Sequence, residues 1–206
     1  MGKHFRIILD FCFKRESALK KRVLLITGSP GTGKTSVLLK TVDALKARGY
    51  SVGGVISREA RVGWTRVGFE ILDLGSGRQG WLAHVNRKVG PRVGKYGVNL
   101  EDLEDIGASA IVNAAENFDV VAIDEIGPME LFSEKFKEAV KRAVESGKFV
   151  VGVVHWKARD RLIEEVKNRE DTEILEVTSE NRNKLHETIV EKAVEFLKTK
   201  ERQQYS

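Results

Sequence analysis

Cysteine is nearly missing from this chain: Cys12 is the only one in 206 residues. That excludes an internal disulfide and suits a reducing compartment such as the cytoplasm. Cys12 stands between Phe11 and Phe13, which reads as a small packing residue. Methionine and glutamine are scarce while charged residues reach 32%, a balance that leans towards a thermophilic source. No apolar run approaches the ~20 residues needed to span a bilayer, so no membrane span is expected. A signal peptide is not expected either. Asp10 interrupts the apolar part of MGKHFRIILDFCFKR, and no small-residue cleavage site comes after it. The Met-Gly start does not read as a myristoylation site, because position 6 is Arg6 rather than Ser or Thr. Neither a domain-separating linker nor an internal repeat is visible.

What remains is an ordinary globular composition, 41% apolar, in a chain of one-domain length. The net charge of +5 has a local origin. Residues 1–22 hold seven basic side chains against two acids, a surplus of five, and residues 23–206 balance. A nucleic-acid binder shows its basic excess on the folded body. Here it sits on an extension, whose plain reading is a solvated tail, so a nucleic-acid partner is not expected. The chain divides into a basic extension (1–21), one domain (22–198) and a frayed, flexible tail (199–206).

Buried-strand patterns alternate with helical ones. Residues 22–27, 50–57, 119–124, 148–155 and 173–178 read as strands. Residues 34–48, 102–117, 131–146, 158–168 and 181–199 read as helices. In between, Val67, Phe69 and Ile71 alternate with other residues, which predicts an antiparallel insertion around 59–83, and the glycine-rich 90–99 reads as a loop. The fold class is α/β: a mainly parallel sheet with a small antiparallel β insertion.

The chemistry starts at LLITGSPGTGKTS. Gly28, Ser29, Pro30, Gly31, Thr32, Gly33, Lys34 and Thr35 match G-x-x-x-x-G-K-[ST] without a mismatch, between an apolar strand and a helix. Glycines let successive backbone N–H groups turn inward onto phosphate oxygens, and the helix start adds its positive dipole end. Lys34 reaches the outer phosphates, Thr35 offers a hydroxyl to Mg²⁺, and Ser36 continues the loop into the helix. A second block, VVAIDEIGPMEL, ends a buried strand in Asp124 with Glu125 next to it. Asp124 is expected to hold Mg²⁺ opposite Thr35. Glu125 is expected to polarise an attacking water, its plain alternative being a cap or loop salt bridge. His155, at a strand end, is a candidate contact to γ-phosphate or water, or a structural histidine. Asn181 and Arg182 are candidates for base or ribose contact, with helix capping around Ser179 as the alternative. An arginine that neutralises transition-state charge would come from Arg58, Arg61, Arg66 or Arg159, with Arg66 taken as the catalytic candidate.

The phosphate loop, SREARVGWTRVGFEILDL, LAHV with VGKYGVNLEDLE, DEIGPMEL, and VVHWKARDRLIEEVKNR with ENRNKL after it occur in this order. Together they resemble the cancer-related nucleoside-triphosphatase family of small P-loop proteins over roughly residues 22–198. The resemblance implies a three-layer, RecA-like P-loop NTPase fold and Mg²⁺-dependent hydrolysis of ATP, GTP and other nucleoside triphosphates to diphosphates, with loose choice of base. It matches the P-loop, strand-end Asp and adjacent Glu to Gly28–Thr35, Asp124 and Glu125. The extension 1–21 lies outside the family pattern. A monomer acting on free nucleotide is the expectation. A nucleotide or polynucleotide kinase, and a nucleotide-switched binding module, are the alternatives.

Overall fold

In a computed structural model of the protein the described residues are 21–204. The extension, apart from Lys21, and the last two residues lie outside them. Nine strands form one sheet: β1 (Val23–Thr27), β2 (Val52–Val62), β3 (Thr65–Asp73), β4 (Gln79–His84), β5 (Arg92–Val93), β6 (Tyr96–Val98), β7 (Val120–Ile126), β8 (Phe149–Val154) and β9 (Thr172–Glu176). Their order is β5-β6-β4-β3-β2-β7-β8-β1-β9. From β2 to β9 every pairing is parallel; from β2 to β5 every pairing is antiparallel. The sheet is therefore a parallel core with an antiparallel wing on one edge.

The helices are α1 (Lys34–Lys46), α2 (Leu100–Asp102), α3 (Ser109–Asn117), α4 (Glu134–Glu145), α5 (Arg161–Lys167) and α6 (Leu185–Gln204). A π-helical turn, Leu103–Ala108, joins α2 to α3. Strand alternation sends neighbouring residues to opposite faces, and β1 feeds two separate cores in this way. Leu24 and Ile26 join Val37, Leu38, Val42 and Ile189 in the core under α1 and α6. Val23 and Leu25 join Ile111, Phe136, Val140 and Ile163 in the core under α3, α4 and α5. Helices on both faces of a parallel sheet make three layers. Side-chain caps start three of the helices: Asn99 Oδ1 accepts from Asp102 N at 3.5 Å, Ser133 Oγ accepts from Phe136 N at 3.1 Å, and Asp160 Oδ1 accepts from Leu162 N at 2.8 Å. At the start of β1, Arg22 pairs with Asp171 at 2.7 Å and donates to the carbonyls of Val144 and Lys148.

The structure differs from the sequence reading in three places. The second strand runs on to Val62, so the β2–β3 hairpin grows straight out of the parallel core. Residues 90–99 are not a plain loop, because Arg92–Val93 and Tyr96–Val98 pair as β5 and β6 and extend the antiparallel part beyond 59–83. The last helix begins at Leu185 and continues to Gln204, past the expected end at 199.

Candidate active site

The site lies where β1, β7 and β8 end, as parallel sheets dictate. β1 enters the loop 28–33, and α1 starts at Lys34. Gly28 has φ +142°, and a Cβ there would come within 2.8 Å of the Val177 carbonyl oxygen, so only glycine fits. Gly33 precedes α1 with no side-chain cap, which leaves the helix's first N–H groups facing the loop. Lys34 Nζ donates to the Gly28 and Ser29 carbonyl oxygens at 3.0 and 3.1 Å. The ammonium is thus held inside the curve of the loop. Thr32 Oγ1 donates to the Ser29 carbonyl at 2.9 Å and tightens the turn. Ser36 is exposed in the first turn of α1.

Thr35 Oγ1 donates to Asp124 Oδ1 at 3.1 Å, which brings together two residues 89 apart in sequence. Asp124 is buried, and burial pushes its carboxyl up to about 7 despite the threonine hydroxyl, with the neighbouring Glu125 charge adding to the rise. Its Oδ2 is buried without a hydrogen-bond partner. Glu125 lines the same cleft. Burial raises its carboxyl as well, while His155 and Lys34 pull it back down. Its Oε1 is likewise buried and unpartnered.

His155 stands on the cleft wall just past β8. Its N–H donates to the Ile126 carbonyl at 3.2 Å, and its Nδ1 accepts from Lys157 N at 3.3 Å. The backbone thereby occupies one ring nitrogen, Nδ1. Of the four arginine candidates, Arg58 and Arg66 line the cleft; Arg61 and Arg159 do not. Arg66 pairs with Glu59, lies 5.5 Å over the Phe69 ring, and keeps a buried Nε without a hydrogen-bond partner. The cleft holds about 750 Å³, and its wall away from the loop is apolar: Phe69, Leu82, Val93 and Met129.

Asn181 and Arg182 are not among the lining residues. Asn181 Oδ1 accepts from Thr178 N at 2.9 Å, and its Nδ2 donates to the Glu176 carbonyl at 2.8 Å. Both ends of the amide serve the turn after β9. Arg182 is exposed on that turn.

Glu130 is the residue that sequence reasoning passed over. It lies in a 3₁₀ turn after β7, is 6% exposed, and lines the cleft. Its Oε2 accepts from Gly127 N at 3.1 Å. Burial raises its carboxyl to about 8, and the nearby Glu125 and Asp124 charges add to the rise. The available signal was a carboxylate inside the apolar stretch IGPMEL. A charged residue there needs a reason to be buried.

Comparison with known proteins finds relatives by sequence and by fold. Residues 23–190 match the family model described as NTPase. The nucleoside-triphosphatase THEP1 of Thermofilum pendens is 45% identical over 162 residues, covering 78% of this chain and 89% of the relative. The nucleoside-triphosphatase THEP1 of Methanosarcina acetivorans is 46% identical over 167 residues, covering 81% and 93%. Two solved structures superpose. The human cancer-related nucleoside triphosphatase has a TM-score of 0.71 at 37% identity, covering 82% of this chain and 95% of the other. THEP1 of Aquifex aeolicus has a TM-score of 0.69 at 29% identity, covering 81% and 96%. A phosphate loop, strand-end acids and a three-layer sheet, together with a family match across most of its length, place the chain in the NTPase family.

Proposed function

We propose that the chain hydrolyses nucleoside 5′-triphosphates to diphosphate and phosphate, with Mg²⁺ at Thr35 and Asp124 and with loose choice of base. One observation carries the hydrolytic reading: Glu125 presents a buried, unpartnered carboxylate oxygen on the cleft that the phosphate loop opens into. In this reading the loop N–H groups and Lys34 bind the β- and γ-phosphates and neutralise charge as it develops. Glu125 accepts the proton of the attacking water, and His155 Nε2 and Arg66 steady the γ-phosphoryl oxygens.

The residues present fit a divalent cation. Asp124 Oδ2 is a buried acid oxygen with no partner, and the Thr35 hydroxyl lies against the same carboxylate. Held there, Mg²⁺ would supply positive charge to neutralise the substrate's phosphates.

Loose base choice is supported by Asn181, whose amide is committed to backbone atoms instead of a base edge. The single cysteine fits a cytoplasmic enzyme, and free nucleotide needs no second chain. None of the helices in the described residues is long and apolar enough to cross a membrane. Phosphate release from ATP, GTP, CTP and UTP with Mg²⁺ and no acceptor tests this reading. Release from several nucleotides supports it; release only after an acceptor is added refutes it. That second outcome would favour a kinase, for which the apolar wall of Phe69, Leu82, Val93 and Met129 would seat the acceptor.

A further inference from the structure

Residues 23–206 are neutral only in sum. The antiparallel wing and its loops, 58–95, hold eight basic side chains against three acids. Of the eight, Arg61 and Arg66 pair with Glu59. The other six have no carboxylate partner among the described residues. Backbone carbonyls hold several in place instead. Arg87 Nε donates to Val98, and Arg92 donates to Arg87 and Lys95, at 3.2, 2.9 and 2.6 Å. Carbonyl contacts fix a guanidinium without cancelling its charge.

The wing also exposes aromatic and aliphatic surface that a sheet edge would normally hide. Trp64, at the tip of the β2–β3 hairpin, is 98% exposed. Val62 beside it and Val89 in the loop after β4 are exposed too. A groove of about 400 Å³ is lined by Trp81, His84, Arg87 and Asn99. In it the Trp81 and His84 rings meet edge-on, with centroids 4.6 Å apart. Strand direction fixes where these features lie. β4 runs the same way as β2 and β7, so the hairpin tip and the loop after His84 stand at the end of the sheet that carries the nucleotide cleft.

We propose that the wing is a binding surface for single-stranded nucleic acid, with bases on Trp81 and His84 and phosphates on Arg87, Lys88, Arg92 and Lys95. Uncancelled cations interleaved with exposed rings are what a flexible polyanion with flat bases requires. A protein partner would call for a more continuous apolar patch.

The test uses the full chain and fluorescein-labelled oligo-dT and oligo-U of roughly 20 nucleotides, enough for one ring-and-cation site. Anisotropy is recorded from about 50 to about 200 mM salt, where phosphate contacts reveal themselves in the slope. Binding is expected, with log K falling by roughly 0.7 per phosphate contacted for each unit of log salt. W81A should weaken it at least about fivefold, and W81F, which keeps a stacking ring, should restore it. K88E/R92E should weaken it further and flatten the salt slope by about one contact or more. Nucleotide hydrolysis without oligonucleotide should be unchanged in all three variants, which also reports that they fold. No binding at low salt overturns the proposal. So does binding that the wing variants leave intact, since that affinity would belong to the basic residues of 1–22.

Discussion

Glu130→Gln offers a quantitative test of the acid cluster. Glu130 is buried, and its Oε2 accepts from Gly127 N at 3.1 Å. A glutamine keeps a carbonyl oxygen for that bond and removes the titrating proton. In the fold the carboxyl holds its proton up to about pH 8. In the unfolded chain it loses it near the ordinary 4.5. The folded pKa is raised, so Glu130 contributes stability that is complete below pH 4.5 and is lost as pH rises towards 8. Between those limits the unfolded state has released a proton that the folded state keeps, and each pH unit costs about 1.4 kcal/mol. The whole window amounts to roughly 5 kcal/mol, an upper bound because local relaxation and water entry would lower it. Glu130→Gln lacks this dependence. Its stability relative to the parent should therefore climb by about 3–5 kcal/mol from pH 4.5 to pH 9, groups not coupled to Glu130 cancelling in the comparison. Urea unfolding monitored by circular dichroism at several pH values measures it. Parallel stability curves for the two proteins would refute the assignment of Glu130 as a buried neutral acid. A parent more stable at pH 9 than the variant would mean that the carboxylate is charged and paired.

Other consequences concern the reaction itself. Glu125→Gln should keep nucleotide affinity within a few-fold and lower turnover by ~10²-fold or more, read by phosphate release beside equilibrium binding; unchanged turnover would remove Glu125 from the mechanism. Burial pushes the Asp124 carboxyl up to about 7, so a cation held there, as proposed, would have to displace a proton below that pH. The Mg²⁺ concentration for half-maximal rate should rise as pH falls from 8 to 6, by up to about tenfold per unit once the acid is protonated, and Asp124→Asn should abolish that trend. Gly28→Ala should weaken nucleotide binding and lower thermal stability, because its Cβ meets Val177 backbone at 2.8 Å in a φ region closed to alanine; a normal melting temperature and affinity would argue against that loop shape.

How much of this was legible beforehand depended on whether local pattern or distant contact decided the outcome. The phosphate loop and the strand-end acids were legible because each is a local device: an apolar strand, a turn chemistry and a charge at its end. The pairing of Thr35 with Asp124 came from sheet logic, and the structure has it at 3.1 Å. β5 and β6 were not legible. Arg92–Val93 and Tyr96–Val98 are too short to show a period, and they are held by the register Arg92↔Gly97. Gly97 weakens strand propensity locally, yet a Cβ there would meet the Arg87 carbonyl oxygen at 2.2 Å. Its glycine serves a close approach that no window of sequence displays. Choosing among the arginines needed the three-dimensional hairpin: a bulge between Ala60 and Arg61 sets Arg61 opposite Arg66, yet only Arg58 and Arg66 line the cleft while Arg61 is held by Glu59. Position along the chain left Asn181 open between a base or ribose contact and capping of the turn, and its amide bonds Thr178 N and the Glu176 carbonyl in the turn after β9.

The two hydrogen bonds from Lys34 to Gly28 and Ser29 have a consequence for the catalytic cycle. The loop supplies its own stand-in for phosphate. Under the proposed function a nucleotide that enters would trade two neutral carbonyl partners for charged oxygens, so the lysine would contribute to affinity only the difference between them. On product departure the same carbonyls would be in place to take back the ammonium. In the proposed reaction the loop would then be reset between turnovers by its own carbonyls, with the cation already held beside the phosphate site.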